Sequence, residues 1–344
     1  MKRGKQTDAR VDRYLIKQQI LKVTAWKGNA RLAIFFSGWE PRALEWCNGT
    51  PEFEHAIVIK FDAEPGTPEY LNAHNLSDEL AKRGVDVKVL NLEDLFNIDK
   101  NINLIDAKIR EFEIPLLADI FIECTAMPRV YLQRLFYFIF KNTIAARITI
   151  GYAAGKHSVS EDINPVLTEG KWRIEPIAPG RASVSGDSKR VLIVLLGIET
   201  DRTLDLIREV EPREVRILVP HSAVQPDLDT ESRRCANLIA ADADLSNTKA
   251  FETNPQDLIE ALRACLTWGA ELGPHDRLSF CGLGPKPLSL IGVLLHLSGR
   301  EIDVFSRIPG GYIKNPTEAS GLYAVYEFID LCHPLCRLLP PQAF

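Results

Sequence analysis

The chain lacks any apolar run approaching the roughly 18–20 residues that a membrane-crossing helix needs. It opens on Met1-Lys2-Arg3-Gly4-Lys5, but no apolar signal core follows. Neither a bilayer span nor export is expected. It also lacks a surplus of positive charge. With 41 Lys and Arg against 46 Asp and Glu, the net charge is −5. General coating of DNA or RNA is thereby excluded, although a local basic pocket is not. Cysteine is neither abundant nor paired. The seven residues are odd in number and lie mostly inside apolar runs, which excludes a disulfide framework and fits a reducing cytoplasm.

The common chemical signatures are missing as well. There is no Gly-x4-Gly-Lys-Ser/Thr phosphate loop and no Gly-x-Ser-x-Gly nucleophile elbow. Gly282-x-Gly284 lacks the third glycine of a dinucleotide fingerprint. Cys332-His333-Pro334-Leu335-Cys336 offers three metal ligands with nothing nearby to complete a tetrahedral set, so buried thiols are the better expectation. No cofactor or metal is expected. His157 is read as a solvated loop histidine. Arg216 and His221 have the spacing of some helical nucleases but fall on an expected strand. No nucleophile–base pair is evident.

What is present is an alternation of apolar strands and helical patterns, the mark of parallel βαβ units. At 344 residues, 46% hydrophobic and 25% charged, the chain is long enough for two globular domains. The expected fold class is α/β, two tandem Rossmann-like doubly wound parallel sheets related by internal duplication. Residues 1–30 read as an N-terminal extension, 31–180 as the first domain, 181–189 as a linker and 190–344 as the second domain. Three correspondences in the same order support the duplication. Gly38-Trp39-Glu40-Pro41-Arg42 matches Gly197-Ile198-Glu199-Thr200-Asp201-Arg202 with one insertion. Cys124-Thr125-Ala126-Met127-Pro128-Arg129 matches Cys281-Gly282-Leu283-Gly284-Pro285-Lys286. Gly170-Lys171-Trp172-Arg173-Ile174 is echoed by Gly321-Leu322-Tyr323-Ala324-Val325.

The second correspondence is the centre of the chemical reading. Proline favours the first position of a helix, which would put Arg129 and Lys286 at the second. A cation there opposes the helix dipole at a cost of a few tenths to about 1 kcal/mol, and makes sense if an anion sits at the helix start. The plainer alternative is that both side chains swing into water, and Glu211-Pro212-Arg213 shows the same dipeptide in an ordinary connection. A five-stranded sheet of this kind takes the order 3-2-1-4-5 and binds ligands beyond the carboxyl ends of strands 1 and 4. Glu40, Arg42, Thr125 and Arg129 should therefore converge in the first half, and Glu199, Arg202, Gly282, Gly284 and Lys286 in the second. The helices at 128–142 and 285–297 are apolar almost all round and need cover on every side. They pack either on each other across a pseudo-twofold axis or under their own domain's loops and terminal strand.

Gly282-Leu283-Gly284-Pro285-Lys286-Pro287-Leu288-Ser289-Leu290, with the Glu/Arg turn after the first strand, resembles the CARF (CRISPR-associated Rossmann fold) family of nucleotide sensors in prokaryotic immunity. That family has a strand, a small-residue turn ending in a basic residue, then an apolar helix. The resemblance implies dimer-like pairing and a cyclic or short oligonucleotide ligand, which a duplicated chain would hold alone. The prolines flanking Lys286 depart from the pattern, and no nuclease or helix-turn-helix effector is evident. The expected function is a ligand-sensing or regulatory subunit that binds a nucleotide or another phosphorylated, anionic small molecule in an antiviral defence system. An alternative is a nucleotide-processing enzyme, with Glu40 or Glu199 as acid/base and Arg42, Arg129, Arg202 or Lys286 stabilising developing charge. Another is a structural subunit whose helix starts meet a protein partner's acidic residues.

Overall fold

The computed structural model describes residues 6–332 apart from positions 12, 62–63, 113–116, 157–167, 179, 181–188, 222–225, 242–247, 274 and 315–316. His157, His333 and Cys336 lie outside the described residues. The chain forms two compact units, residues 1–156 with 316–344 and residues 157–315.

The first unit runs through β1 (Gln6–Val11), β2 (Tyr14–Lys22), β3 (Asn29–Phe36), a 3₁₀ turn at Pro41–Asn48, β4 (Glu52–Phe61), α1 (Pro68–Lys82), β5 (Asp86–Leu92), α2 (Ile98–Arg110), β6 (Leu117–Glu123), α3 (Arg129–Lys141) and β7 (Ala145–Lys156). The second holds β8 (Thr168–Glu169), β9 (Arg173–Ala178), β10 (Arg190–Leu195), α4 (Thr200–Val210), β11 (Glu214–Pro220), α5 (Pro226–Ala240) and β12 (Lys249–Thr253). It continues with α6 (Leu258–Ala270), β13 (Arg277–Gly282), a 3₁₀ turn at Pro287–Ser289, α7 (Leu290–Leu297), β14 (Ile302–Ile308) and β15 (Gly311–Tyr312). The chain then returns to the first unit as β16 (Glu318–Asp330).

Both sheets have the expected parallel order. The first reads β5-β4-β3-β6-β7 and the second β12-β11-β10-β13-β14, each 3-2-1-4-5 in local numbering. The central strands are those that read as unbroken apolar runs. Leu32, Ala33 and Ile34 of β3 and Leu192, Ile193 and Val194 of β10 are completely buried, as a strand covered on both faces must be. Helix α1 shows why its boundaries were legible. Thr67 accepts the Tyr70 N–H, Pro68 takes the first position, and Gly84 follows the last turn at φ +78.

The edges depart from the expected domains. Residues 1–30 are not an appendage. β1 and β2 belong to the first sheet, which continues antiparallel beyond β7 as β16-β2-β1, eight strands in all. Strand β16, expected in the second domain, lies between β7 and β2, with Tyr323, Ala324, Tyr326 and Phe328 fully buried. Strand β9, expected at the end of the first, pairs antiparallel with β14 in the second sheet. Alternating hydrophobicity marks a segment as a strand but does not say which edge it joins. The extra strands also cover part of α3. Phe140 packs on Tyr14 of β2, and Phe136 on Phe328 of β16, with ring centroids 5.2 and 4.8 Å apart. Among the described residues no helix is long and apolar enough to cross a membrane.

Candidate ligand crevices at the strand ends

In the first unit the turn after β3 is held down by α1. Ser37 Oγ donates to the Glu69 carbonyl at 2.8 Å and Asn72 Nδ2 donates to the Gly38 carbonyl at 2.7 Å. This fixes Glu40 and Arg42 beside the end of β7. Arg42 is 4% exposed and meets the Glu40 carboxylate at 2.6 Å. It also donates from Nη1 to the Ala153 carbonyl at 2.7 Å and lies 5.7 Å from the Tyr152 ring centroid. Burial works against its charge, but Tyr152 and Glu40 outweigh that penalty and hold its pKa above the ordinary value. Thr125 is completely buried. Its N–H donates to Glu123 Oε2 at 3.0 Å, its hydroxyl donates to Glu123 Oε1, and it accepts the Ala153 N–H at 2.9 Å. Arg42 and Thr125 thus converge on one residue of β7. Their polar atoms meet Ala153 and Glu123 in doing so.

In the second unit the turns after β10 and β13 touch backbone to backbone. A Cβ on Gly284 would fall 2.2 Å from the Leu196 carbonyl oxygen, and one on Gly197 2.6 Å from that of Leu283. Glycine permits this approach and a larger residue would push the turns apart. Gly282 ends β13 and packs against Ser289. Glu199 stands at the N-cap of α4, where it accepts the Thr168 hydroxyl at 2.7 Å. The Arg202 guanidinium lies 5.6 Å from the Trp172 ring centroid, and Arg307 covers the same ring at 5.6 Å. Arg307 also donates to the Arg202 carbonyl at 2.9 Å and pairs with Glu209 at 2.7 Å. Behind Glu199, Thr200 donates to Glu231 at 2.5 Å. The two hydrogen bonds that Arg234 donates hold the Glu231 carboxyl below its usual pKa.

The two basic residues read as twins are not equivalent. Phe35 pairs with Glu123 and Val194 with Cys281, while Gly38 and Gly197 lie three residues beyond Phe35 and Val194. Glu123 therefore corresponds to Cys281, Pro128 to Lys286, and Arg129 to Pro287. Pro128 is the N-cap of α3, with extended ψ of 142°, and Arg129 is the first helical residue rather than the second. Lys286 is itself the N-cap of the Pro287–Ser289 turn, and its carbonyl accepts both the N–H and the hydroxyl of Ser289. The correction has a local cause. Pro287, with no N–H, sets the first position of a tight 3₁₀ turn and moves the helix start two residues past Pro285.

Three partners escaped the sequence reading: Thr168, Trp172 and Arg307. The Gly-x-aromatic echo had marked Trp172, but assigned it to the other sheet. A further polar cluster stands just past β11. His221 Nδ1 is 2.7 Å from the Asp229 carboxylate, and Arg233 reaches Glu252 through two bonds of 2.7 and 3.0 Å. Arg216 lies on β11 as expected, pairing with Glu214 and Glu271 toward the opposite end of the strand. Among the described residues no group of three or more His, Cys, Asp or Glu is placed to hold a metal ion.

No family model matches the chain, and no curated protein matches it. Among solved structures it is similar to a type III CRISPR defence DNA nuclease activated by cyclic oligoadenylate. That match has 10% identity and a TM-score of 0.44, covering 81% of this chain and 65% of the nuclease. It is also similar, with 11% identity and a TM-score of 0.19, to an adenylation, ketoreductase and pseudo Asub multidomain structure of a keto acid-selecting nonribosomal peptide synthetase module. That second match covers 78% of this chain and 28% of the module. The chain thus spans just under two thirds of the nuclease's length.

Proposed function

We propose that the protein is a sensor or regulatory subunit that binds a nucleotide, or another phosphorylated small molecule, in the crevice of its second unit, and that it serves prokaryotic antiviral defence. The observation that carries this reading is the backbone contact between the Leu196–Gly197 and Leu283–Gly284 turns at the switch point of a 3-2-1-4-5 sheet. Ligands of such sheets bind at that point. Arg202 and Lys286 supply positive charge on the two turns, and Glu199 offers an acceptor for a ribose hydroxyl or an amino group. The sequence resemblance to CARF sensors agrees with the same crevice. Tandem duplication of the Rossmann-like unit and the cytoplasm as its location belong to this proposal.

The test is a thermal-shift screen of the full chain against mononucleotides, cyclic dinucleotides and cyclic oligoadenylates, with Arg202→Ala and Lys286→Ala as controls. A ligand that raises the melting temperature of the parent and not of the variants, and is recovered unchanged, supports sensing. A ligand converted to product would replace this reading with the enzymatic one. No shift with any of these compounds would overturn it.

A further inference from the structure

We infer that the chain is a fused pair of Rossmann-like copies that have exchanged their sixth strands, so that the segment ending each copy completes the sheet of the other. Four observations lead there. Each sheet has the same five-strand parallel order, and in each the fifth strand takes an antiparallel neighbour on its outer side, β16 on β7 (followed by β2 and β1) and β9 on β14. The same short pattern leads into β9 as Gly170-Lys171-Trp172 and recurs early in β16 as Gly321-Leu322-Tyr323, with the glycines at φ +73 and φ +78. The residues just before each glycine pair with the far end of the fifth strand or its continuation. Glu169 and Thr168 meet Gly311 and Tyr312, whereas Ala319 and Glu318 meet Gly155 and Lys156. Finally, the order along the chain is crossed. β9 follows the five strands of the first sheet and joins the second, while β16 follows the five strands of the second and joins the first.

Neither simpler history gives this pattern. Tandem copies that each kept their own strand would pair β9 with β7 and β16 with β14. An unrelated domain inserted at residue 157 would have no reason to begin with the same glycine-aromatic strand that resumes the host at residue 318. Exchange of an edge strand between two like protomers, followed by fusion, yields both features, because an open sheet edge accepts any strand of matching pattern.

The exchange makes the second crevice composite. Thr168, which holds Glu199, and Trp172, which carries Arg202 and Arg307, both lie on the arm that belongs to the first copy. The geometry casts them as positioning residues supplied across the fusion. This inference concerns strand pairing alone, so it stands or falls separately from the identity of the ligand.

The experiment uses the full-length chain with a specific protease site inserted after Val184, cut after purification. In one variant Thr149→Cys is combined with Glu327→Cys, and in another Glu175→Cys with Ser306→Cys. Both pairs face each other across the exchanged ladders. After cutting and mild oxidation, each variant should run at full-length mass on a denaturing gel and fall to two fragments on reduction. Fragments that run apart without reductant, or a product of twice the chain mass, overturn the inference. A chain bearing only the protease site guards against misfolding of the cysteine variants. Its two fragments should co-elute in native buffer and separate only at the denaturant concentration that unfolds the uncut chain. Separation in native buffer overturns the exchange.

Discussion

The two crevices use like residues for opposite ends. In the first, the turn after strand 1 puts its arginine inside: Arg42 is buried, ion-paired with Glu40 and bonded to the β7 backbone. In the second, Arg202 is half-exposed and rests on Trp172, while the glutamate of the turn is bonded to Thr168. The first also spends a buried threonine, Thr125, on stitching β6 to β7, where the second has apolar Leu283. One crevice is closed by its own polar bonds and the other is lined by charges that still face solvent. The first turn thus commits its arginine to bonds within the fold, whereas the second leaves Arg202 half-exposed over Trp172.

The sharpest way to break this comparison is a pair of arginine truncations. Arg42→Ala removes a buried ion-pair partner and a hydrogen bond to Ala153. It should cost about 3 kcal/mol in chemical unfolding, whereas Arg202→Ala should cost under about 1 kcal/mol. Equal losses would mean that the two turns do the same work. Thr125→Val should follow at about 2 kcal/mol, because the Ala153 N–H and Glu123 Oε1 lose the buried hydroxyl that both bond, while the Thr125 N–H still serves Glu123 Oε2. Gly284→Ala probes the other crevice. The new methyl would meet the Leu196 carbonyl, so a loss of about 1–2 kcal/mol is expected together with a clear loss of any nucleotide-induced melting shift. If binding survives Gly284→Ala unchanged, the crevice is elsewhere.

The smallest effect concerns pH. The folded-state pKa of Glu231 is held below its ordinary 4.5 by Arg234 and Thr200. Its stabilising contribution is therefore present above about pH 4.5 and lost as the pH falls through the lower folded value. Glu231→Gln should cost roughly 1 kcal/mol at neutral pH and flatten the acid limb of the stability profile below pH 4.5. An acid limb identical to that of the parent would show that the Thr200–Glu231–Arg234 chain does not brace the start of α4.

Much of the fold was legible because its physics is local. Continuous apolar runs named the parallel strands, caps and glycines named the ends of α1, and the strand count gave the 3-2-1-4-5 order. The failures were of two kinds. Assigning β9 and β16 to a sheet required knowing which edge was free, and that is a property of the whole chain. Matching Arg129 with Lys286 followed the shared proline, whereas the ladders fix equivalence by pairing and move it by one residue. The site was half legible for the same reason. Turns after strands 1 and 4 could be found by spacing, but the sequence could not tell a buried, bonded Arg42 from a half-exposed Arg202. Their partners lie more than 25 residues away, Ala153 for one and Trp172 for the other.

The position of β16 also bears on how the protein is made. It is the last of the described strands to leave the ribosome, yet it lies between β7 and β2, which both leave before the second unit is made. At roughly 5–20 residues per second, the first sheet waits about 10–35 s with two unfilled edges while the second unit is synthesised. During that interval the second unit can already fold, and the N-terminal sheet is open to pairing with neighbouring nascent chains. Truncation or stalling before residue 318 would leave the older half of the molecule permanently unfinished.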